Sequence, residues 1–196
     1  MKRIFSLLFI SLSVIVACDN DSAKGKKEKA NADSAAKVAE QKKKTAEANE
    51  EMLAKLEKMT PLTNEELKKL LPETLMEAAA SNSSVNSSLG ASVATAEYQV
   101  NDSTKISLNI YDCAGPGGAG IYNLQFAGLL DYNADNPAEY TRVIDFNGGK
   151  AIEHCMKTSI ECSFTYFSAG RFLVALDGKN AGAEELKKLA ISMNIK

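Results

Sequence analysis

The sequence predicts an α+β domain: an antiparallel sheet of five to six strands with two or three helices packed on one face, preceded by a helical stalk. Three observations carry that prediction. Short runs of apolar residues at period two occur in two groups, over residues 94–112 and 140–177, and within each group they are joined by turns too short for parallel crossovers. Helical spacing of apolar residues occurs on both sides of those runs. Upstream of the strands lies a stretch rich in Ala, Lys and Glu, without Gly or Pro.

Met1-Lys2-Arg3 is a short basic start, and Ile4 to Ala17 carries no charge. Those 14 residues are fewer than the ~20 a spanning helix needs, and they suit the core of an export signal. Asp19 to Asn31 is Lys, Asp, Ser and Gly with almost nothing apolar, the composition of a disordered tether. Asp33 to Met59 favours helix by propensity, but only Met52, Leu53, Leu56 and Met59 form a stripe, so a solvated stalk docking by its last turns is predicted. Ala39, Lys42, Ala46 and Asn49 at candidate heptad positions argue against a coiled coil. The domain expectation is therefore 1–17 signal, 18–60 tether and stalk, 61–196 globular domain.

Pro61 breaks the chain, and Thr63 with Glu66 three residues on is a capping box opening a short helix with Leu67, Leu70 and Leu71 on its apolar face, ended by Pro72. Ser81 to Ser92 is Ser/Asn-rich and predicts a loop. Ile106, Leu108 and Ile110 alternate with Ser107, Asn109 and Tyr111, a half-buried strand over Lys105–Asp112 that pairs with Ala94–Val100 across an Asn101-Asp102-Ser103 turn. After a glycine-rich link, Tyr122, Phe126, Leu129 and Leu130 fit helical spacing; Tyr122, Leu124 and Phe126 fit a strand as well, and helix is favoured. Strands follow at Tyr140–Phe146, Ala151–Met156, Cys162–Phe167 and Arg171–Asp177, with Asn147-Gly148-Gly149 and Ser168-Ala169-Gly170 as turns. Leu186, Leu189, Ala190 and Met193 mark a last helix from Ala183.

Ile15-Val16-Ala17-Cys18, after a basic start and an apolar core, resembles the lipobox of bacterial lipoproteins. The resemblance implies diacylglycerol on Cys18, cleavage before it and acylation of the new amino end. Several chains at ~0.8 kcal/mol per buried CH₂ anchor a protein where one does not. Asp19 favours inner-membrane retention in some lineages of that family only, so it does not choose a membrane. Localisation is expected at a bacterial inner or outer membrane, with the domain outside the cytoplasm. In such a compartment disulfides persist. Cys155 and Cys162 flank a short hairpin segment and form the expected bridge, leaving Cys113 as a buried thiol.

Leu71-Pro72-Glu73-Thr74-Leu75, Tyr111-Asp112-Cys113-Ala114-Gly115, Asn147-Gly148-Gly149-Lys150-Ala151, and Gly170-Arg171-Phe172-Leu173-Val174 with Gly178 and Glu185-Leu186-Lys187 are similar to stretches in a group of Gram-negative lipoprotein ectodomains. That resemblance implies a compact sheet-and-helix domain, loosely like the PsbP-like envelope modules, and no assigned activity.

Beyond Met59 the chain has 11 basic against 16 acidic residues, a balance unsuited to nucleic acid. Gly115-Pro116-Gly117-Gly118-Ala119-Gly120 fits a dinucleotide fingerprint by spacing, but Pro116 and the lack of a parallel βαβ unit leave it a strand-to-helix connection. Cys113, His154, Cys155 and Cys162 could suggest zinc, yet His154 and Cys155 are adjacent on a strand and point to opposite faces, so no metal and no cofactor is expected. Asp21-Ser22-Ala23, Asp33-Ser34-Ala35 and Asp102-Ser103-Thr104 resemble a bacterial O-glycosylation acceptor. The function expected is a non-enzymatic binding, accessory or sensor module, anchored to the membrane by lipid. It would meet an envelope protein or small ligand through the less covered sheet face, or through loops at Asp112, Gly115, Gly117, Gly118 and Gly120 and at Asp131–Ala138. The alternatives are a hydrolase using Asp112 with His154, which must then converge within hydrogen-bond reach, or a carrier with an apolar cavity.

Overall fold

The computed structural model describes residue 40 and residues 42–195. The export signal, Cys18, the tether and the first two Asp-Ser sites lie outside these residues. The chain divides into compact units over Met1–Thr45 and Ala46–Lys196. In the first, the described residues are helical and Lys44 pairs with Glu40 one turn away at 2.8 Å. Among the described residues no helix is long and apolar enough to cross a membrane.

A helix over residues 42–57 (α1) runs into the second unit. There follow α2 (Asn64–Lys68), β1 (Thr74–Leu75), β2 (Ala78–Ser88), β3 (Ala91–Gln99), β4 (Lys105–Asp112), α3 (Gly115–Gln125), a 3-10 turn (Ala127–Leu129), β5 (Ala134–Asp135), β6 (Glu139–Phe146), β7 (Gly149–Met156), β8 (Glu161–Ser168), β9 (Phe172–Lys179) and α4 (Ala183–Met193). Every strand pair is antiparallel, in the order β1-β2-β3-β4-β9-β8-β7-β6-β5. Two meanders thus meet at β4 and β9, where Leu108 faces Leu176 and Ile110 faces Val174.

This corrects the expected architecture in three ways. The sheet has nine strands among the described residues, not five to six. The Ser81–Ser92 stretch, expected as a loop, is most of a hairpin: Ser84 and Thr95 share a hydrogen bond at 2.9 Å, and Ser87 and Ser92 one at 2.7 Å. Cross-strand hydroxyl pairs supply locally what β-branched side chains supply elsewhere. Third, helices cover both faces. On one, which we call the sealed face, Leu67 of α2 and Leu186, Leu189 and Ala190 of α4 pack on Ile106, Leu108, Ile110, Phe164, Tyr166, Val174 and Leu176. On the other, Leu56 of α1 and Ala119 and Tyr122 of α3 pack on Ile152 and Leu173.

The pleat explains the division. In β9, Phe172, Val174 and Leu176 turn to the sealed face, while Leu173 turns to the other. Phe172-Leu173-Val174-Ala175-Leu176 is uninterrupted because that length of strand is covered on both sides. The sequence stripe Met52, Leu53, Leu56 and Met59 is what α1 and the residues after it bring to the second cluster, and Tyr122 Oη reaches Asn49 Oδ1 at 3.2 Å.

The expected glycine-rich link is instead the first part of α3. A Cβ on Gly117 would lie 2.4 Å from Leu89 O and Gly90 C, and one on Gly118 2.5 Å from Asp112 O. The run allows a helix to lie directly on the β2–β3 turn and on the end of β4.

Candidate functional site

The helices on the second face stop short of one end of the sheet. There the floor is polar, because the strands that alternate apolar residues into the sealed face place Ser, Thr, Asn and Asp between them. In one cross-strand row stand Thr141, His154, Ser163, Asp177, Ser107 and Glu97, each opposite the next on adjacent strands. Strands ~4.8 Å apart make this a strip of about 24 Å. A second row brings Lys179 and Lys105 alongside. The middle of this floor, Ser107, His154, Ser163 and Asp177 with Lys105, Lys179, Met156 and Glu161, lines a recess of about 330 Å³.

His154 is fixed from β6: its Nδ1 lies 3.0 Å from Thr141 Oγ1 and its Nε2 3.7 Å from Glu139 Oε2. Asp177 accepts from Asn109 Nδ2 at 3.4 Å. The Asp177 side chain is open to solvent, but its carboxyl stands on a floor of protein, and that burial raises its pKa. Tyr111, farther along β4, is pushed up by burial and by the Asp177 charge, with Gln125 pulling the other way. Lys105 is tied to Glu97 at 2.8 Å. The strip offers donors and acceptors of both signs.

Asp112 belongs elsewhere. It lies five positions from Ser107 along β4, hence about 16 Å away and on the sealed face. Its Oδ1 accepts from Arg171 Nε at 2.8 Å and from Ala114 N at 3.2 Å; its Oδ2 accepts from Arg171 Nη2 at 2.8 Å and from Leu62 N at 2.7 Å. Arg171 Nη2 also donates to Thr60 O at 2.9 Å. Burial pushes the Asp112 carboxyl up, but Arg171 and the two amides outweigh it and hold the pKa low. Asp112 and His154 are thus not brought together. Asp112 locks the segment entering α2 to β4, α3 and β9.

No known protein family, curated protein or solved structure matches this chain.

A hydrolytic triad places its His between nucleophile and acid. In the row here Ser163 stands between His154 and Asp177, and both ring nitrogens of His154 face β6. The four-residue zinc set is not assembled: Cys155 and Cys162 are joined in a disulfide across β7 and β8 on the face opposite His154, while Cys113 is buried in the α1–α3 cluster. Burial pushes the Cys113 thiol up to about 12. Between sheet and helices, where a carrier needs a cavity, Leu108, Ile110, Phe164, Leu176 and Leu186 are fully buried.

Gly115, Gly117 and Gly118 are used for close packing, and a Cβ on Gly120 would meet open space. The Asp131–Ala138 stretch contains β5 and a turn in which Asn136 Oδ1 accepts from Ala138 N and Glu139 N. Asp135 pairs there with Lys157. Ser107, Ser163, Asp177, Lys105 and Lys179 were not singled out from the sequence. The signal was present as polar residues at alternate positions of one end of each strand, Lys105, Ser107 and Asn109 in β4, Glu161, Ser163 and Thr165 in β8, and Asp177 and Lys179 in β9, which marks a stretch of face that is not core.

Proposed function

We propose that this chain is an exported, lipid-anchored binding module of the cell envelope, and that its ligand or partner lies along the polar row from Thr141 to Glu97. The observation that carries this is the asymmetry of the sheet: one face is sealed by α2 and α4, whereas the other is covered only at one end. A strip with carboxylate, imidazole, ammonium and hydroxyl groups within one 330 Å³ recess suits a polar partner held by several hydrogen bonds. The lipobox-like start supports export, and a disulfide between Cys155 and Cys162 supports an oxidising compartment.

A photo-crosslinking residue at Ser163, compared with one at Lys188 on α4, tests the reading in native membranes. Crosslinks should arise from position 163 and be outcompeted by excess untagged protein. Equal yields from both positions would overturn it, as would turnover of an envelope polymer by the purified protein.

A further inference from the structure

Two neighbouring elements carry no charge. Ala78–Ala96, most of the β2–β3 hairpin, and Cys113–Leu130, containing all of α3, hold no Asp, Glu, Lys, Arg or His, in a chain where 24% of residues are charged. They touch where Gly117 meets the Leu89-Gly90 turn. At the tip of that turn Leu89 is 97% exposed, with a positive φ of 53° that disfavours branched and bulky side chains. Asn and Gly, the usual occupants of such turns, would be free of that cost.

Helical geometry lines up the rest. Gly117, Gly120, Ile121 and Leu124 share one side of α3 at spacings of three, four and seven. Leu89 stands at the head of that line, and Leu124, 74% exposed, stands at its foot. Gly120 leaves an open notch between them.

We propose that the Leu89 tip and the Gly120–Leu124 side of α3 are a contact surface for an electrically neutral lipid bilayer, against which the domain rests. The inference rests on the reading that Cys18 is acylated. Two arguments choose this occupant. The first is charge. Pressing the exposed part of these 37 residues, which hold no Asp, Glu, Lys, Arg or His, into the headgroup boundary strips water from no charge, and the lack of Lys and Arg gives no attraction to anionic lipid. The second is tether length. Twenty-one residues lie between Cys18 and Glu40, a span of at most about 75 Å, so an anchored domain meets the surface at high effective concentration. A protein partner would more commonly be gripped by Trp, Tyr or Arg than by isolated Leu.

The test uses the full-length protein, purified from membranes and reconstituted into phosphatidylcholine vesicles, with an environment-sensitive fluorophore on L89C, L124C or, as control, K188C. Buried Cys113 and the bridged pair do not compete for label. Probes at 89 and 124 should shift to the blue, gain intensity at least twofold and be quenched by brominated acyl chains, unchanged by salt or added anionic lipid; the probe at 188 should remain in water. The double variant L89D/L124D, labelled instead at Gly120→Cys, should lose the quenching.

Acylated protein whose probes at 89 and 124 stay in water overturns this inference alone. Shielding that appears without lipid and grows with protein concentration also overturns it, because the surface is then a protein interface. Protein recovered without acyl mass on Cys18 overturns the anchored reading and this one together.

Discussion

Replacing Asp112 with Ala should destabilise the domain by about 3–5 kcal/mol. The carboxylate is 2% exposed and accepts four hydrogen bonds, two of them from Arg171. Removing it leaves a guanidinium and two amides without their acceptor, and breaking one partner of a buried pair costs about that much. The Arg171 side chain is 22% exposed, so water can solvate it in the variant, and the lower end of the range is expected. D112N should do no better than about 3 kcal/mol, because its amide nitrogen would face Arg171 or a backbone N–H, donor against donor. In urea, with a slope of about 2 kcal/mol/M, the midpoint should fall by roughly 1.5–2.5 M. D112A, R171A and the double variant form a cycle whose coupling should exceed about 1.5 kcal/mol. The pH dependence has a fixed sign. The Asp112 pKa is held below its ordinary value of 3.8, so its contribution is present above that pH and lost as pH falls through the lower folded value. Wild type should therefore lose more stability than D112A between pH 4 and pH 2. Single variants costing under about 1 kcal/mol, or additivity within about 0.5, would refute the assignment of Asp112 as a structural tie.

Gly117→Ala should destabilise by more than about 2 kcal/mol, since its Cβ would lie 2.4 Å from backbone atoms of the Leu89-Gly90 turn; Gly120→Ala, with open space around the new methyl, should stabilise by up to about 1 kcal/mol. Chemical denaturation of the pair decides both. A thiol reagent at pH 8 should find no reactive cysteine in native protein lacking residues 1–18 and one, Cys113, after unfolding; burial that pushes its thiol up to about 12 leaves almost no thiolate. Reduction of Cys155–Cys162 should lower stability by roughly 2 kcal/mol, read as a shift in the urea midpoint. Mass spectrometry of the mature protein should show an amino terminus at Cys18 with added acyl mass, and an intact Met1 would refute the anchor.

Elements held together by side-chain pattern were legible. Strands β6 to β9 and α4 were placed to within a residue or two, since Ile144/Phe146, Phe164/Tyr166, Val174/Leu176 and Leu186/Leu189 keep the period of their element on the sealed face. The Thr63–Glu66 box caps α2 as its spacing predicts. What escaped is held together by backbone and short polar groups. Strand β2 is Ser and Asn, residues that locally favour turns, and only its pairing with β3 makes it a strand. Strands β1 and β5 have two residues each, too few to show any period. The glycines of α3 argue against helix by propensity, and tertiary contact overrides them.

The polar row and the glycine helix share a cause. Each uncovered or closely approached part of this sheet is where the sequence abandons large apolar residues: Ser, Thr and Asp where no helix lies on the floor, Gly where a helix lies too near for a side chain. Covering the floor as well would have needed apolar residues at Ser107, Ser163 and Asp177, whose neighbours on the same strands, Leu108, Phe164 and Leu176, are fully buried. Strands able to bury one side that completely have no structural need of a carboxyl group at 177, whose pKa rises because the floor desolvates it. A carboxyl, an imidazole and two lysines gathered in one recess on that open floor mark the row as a place for a partner rather than plain surface.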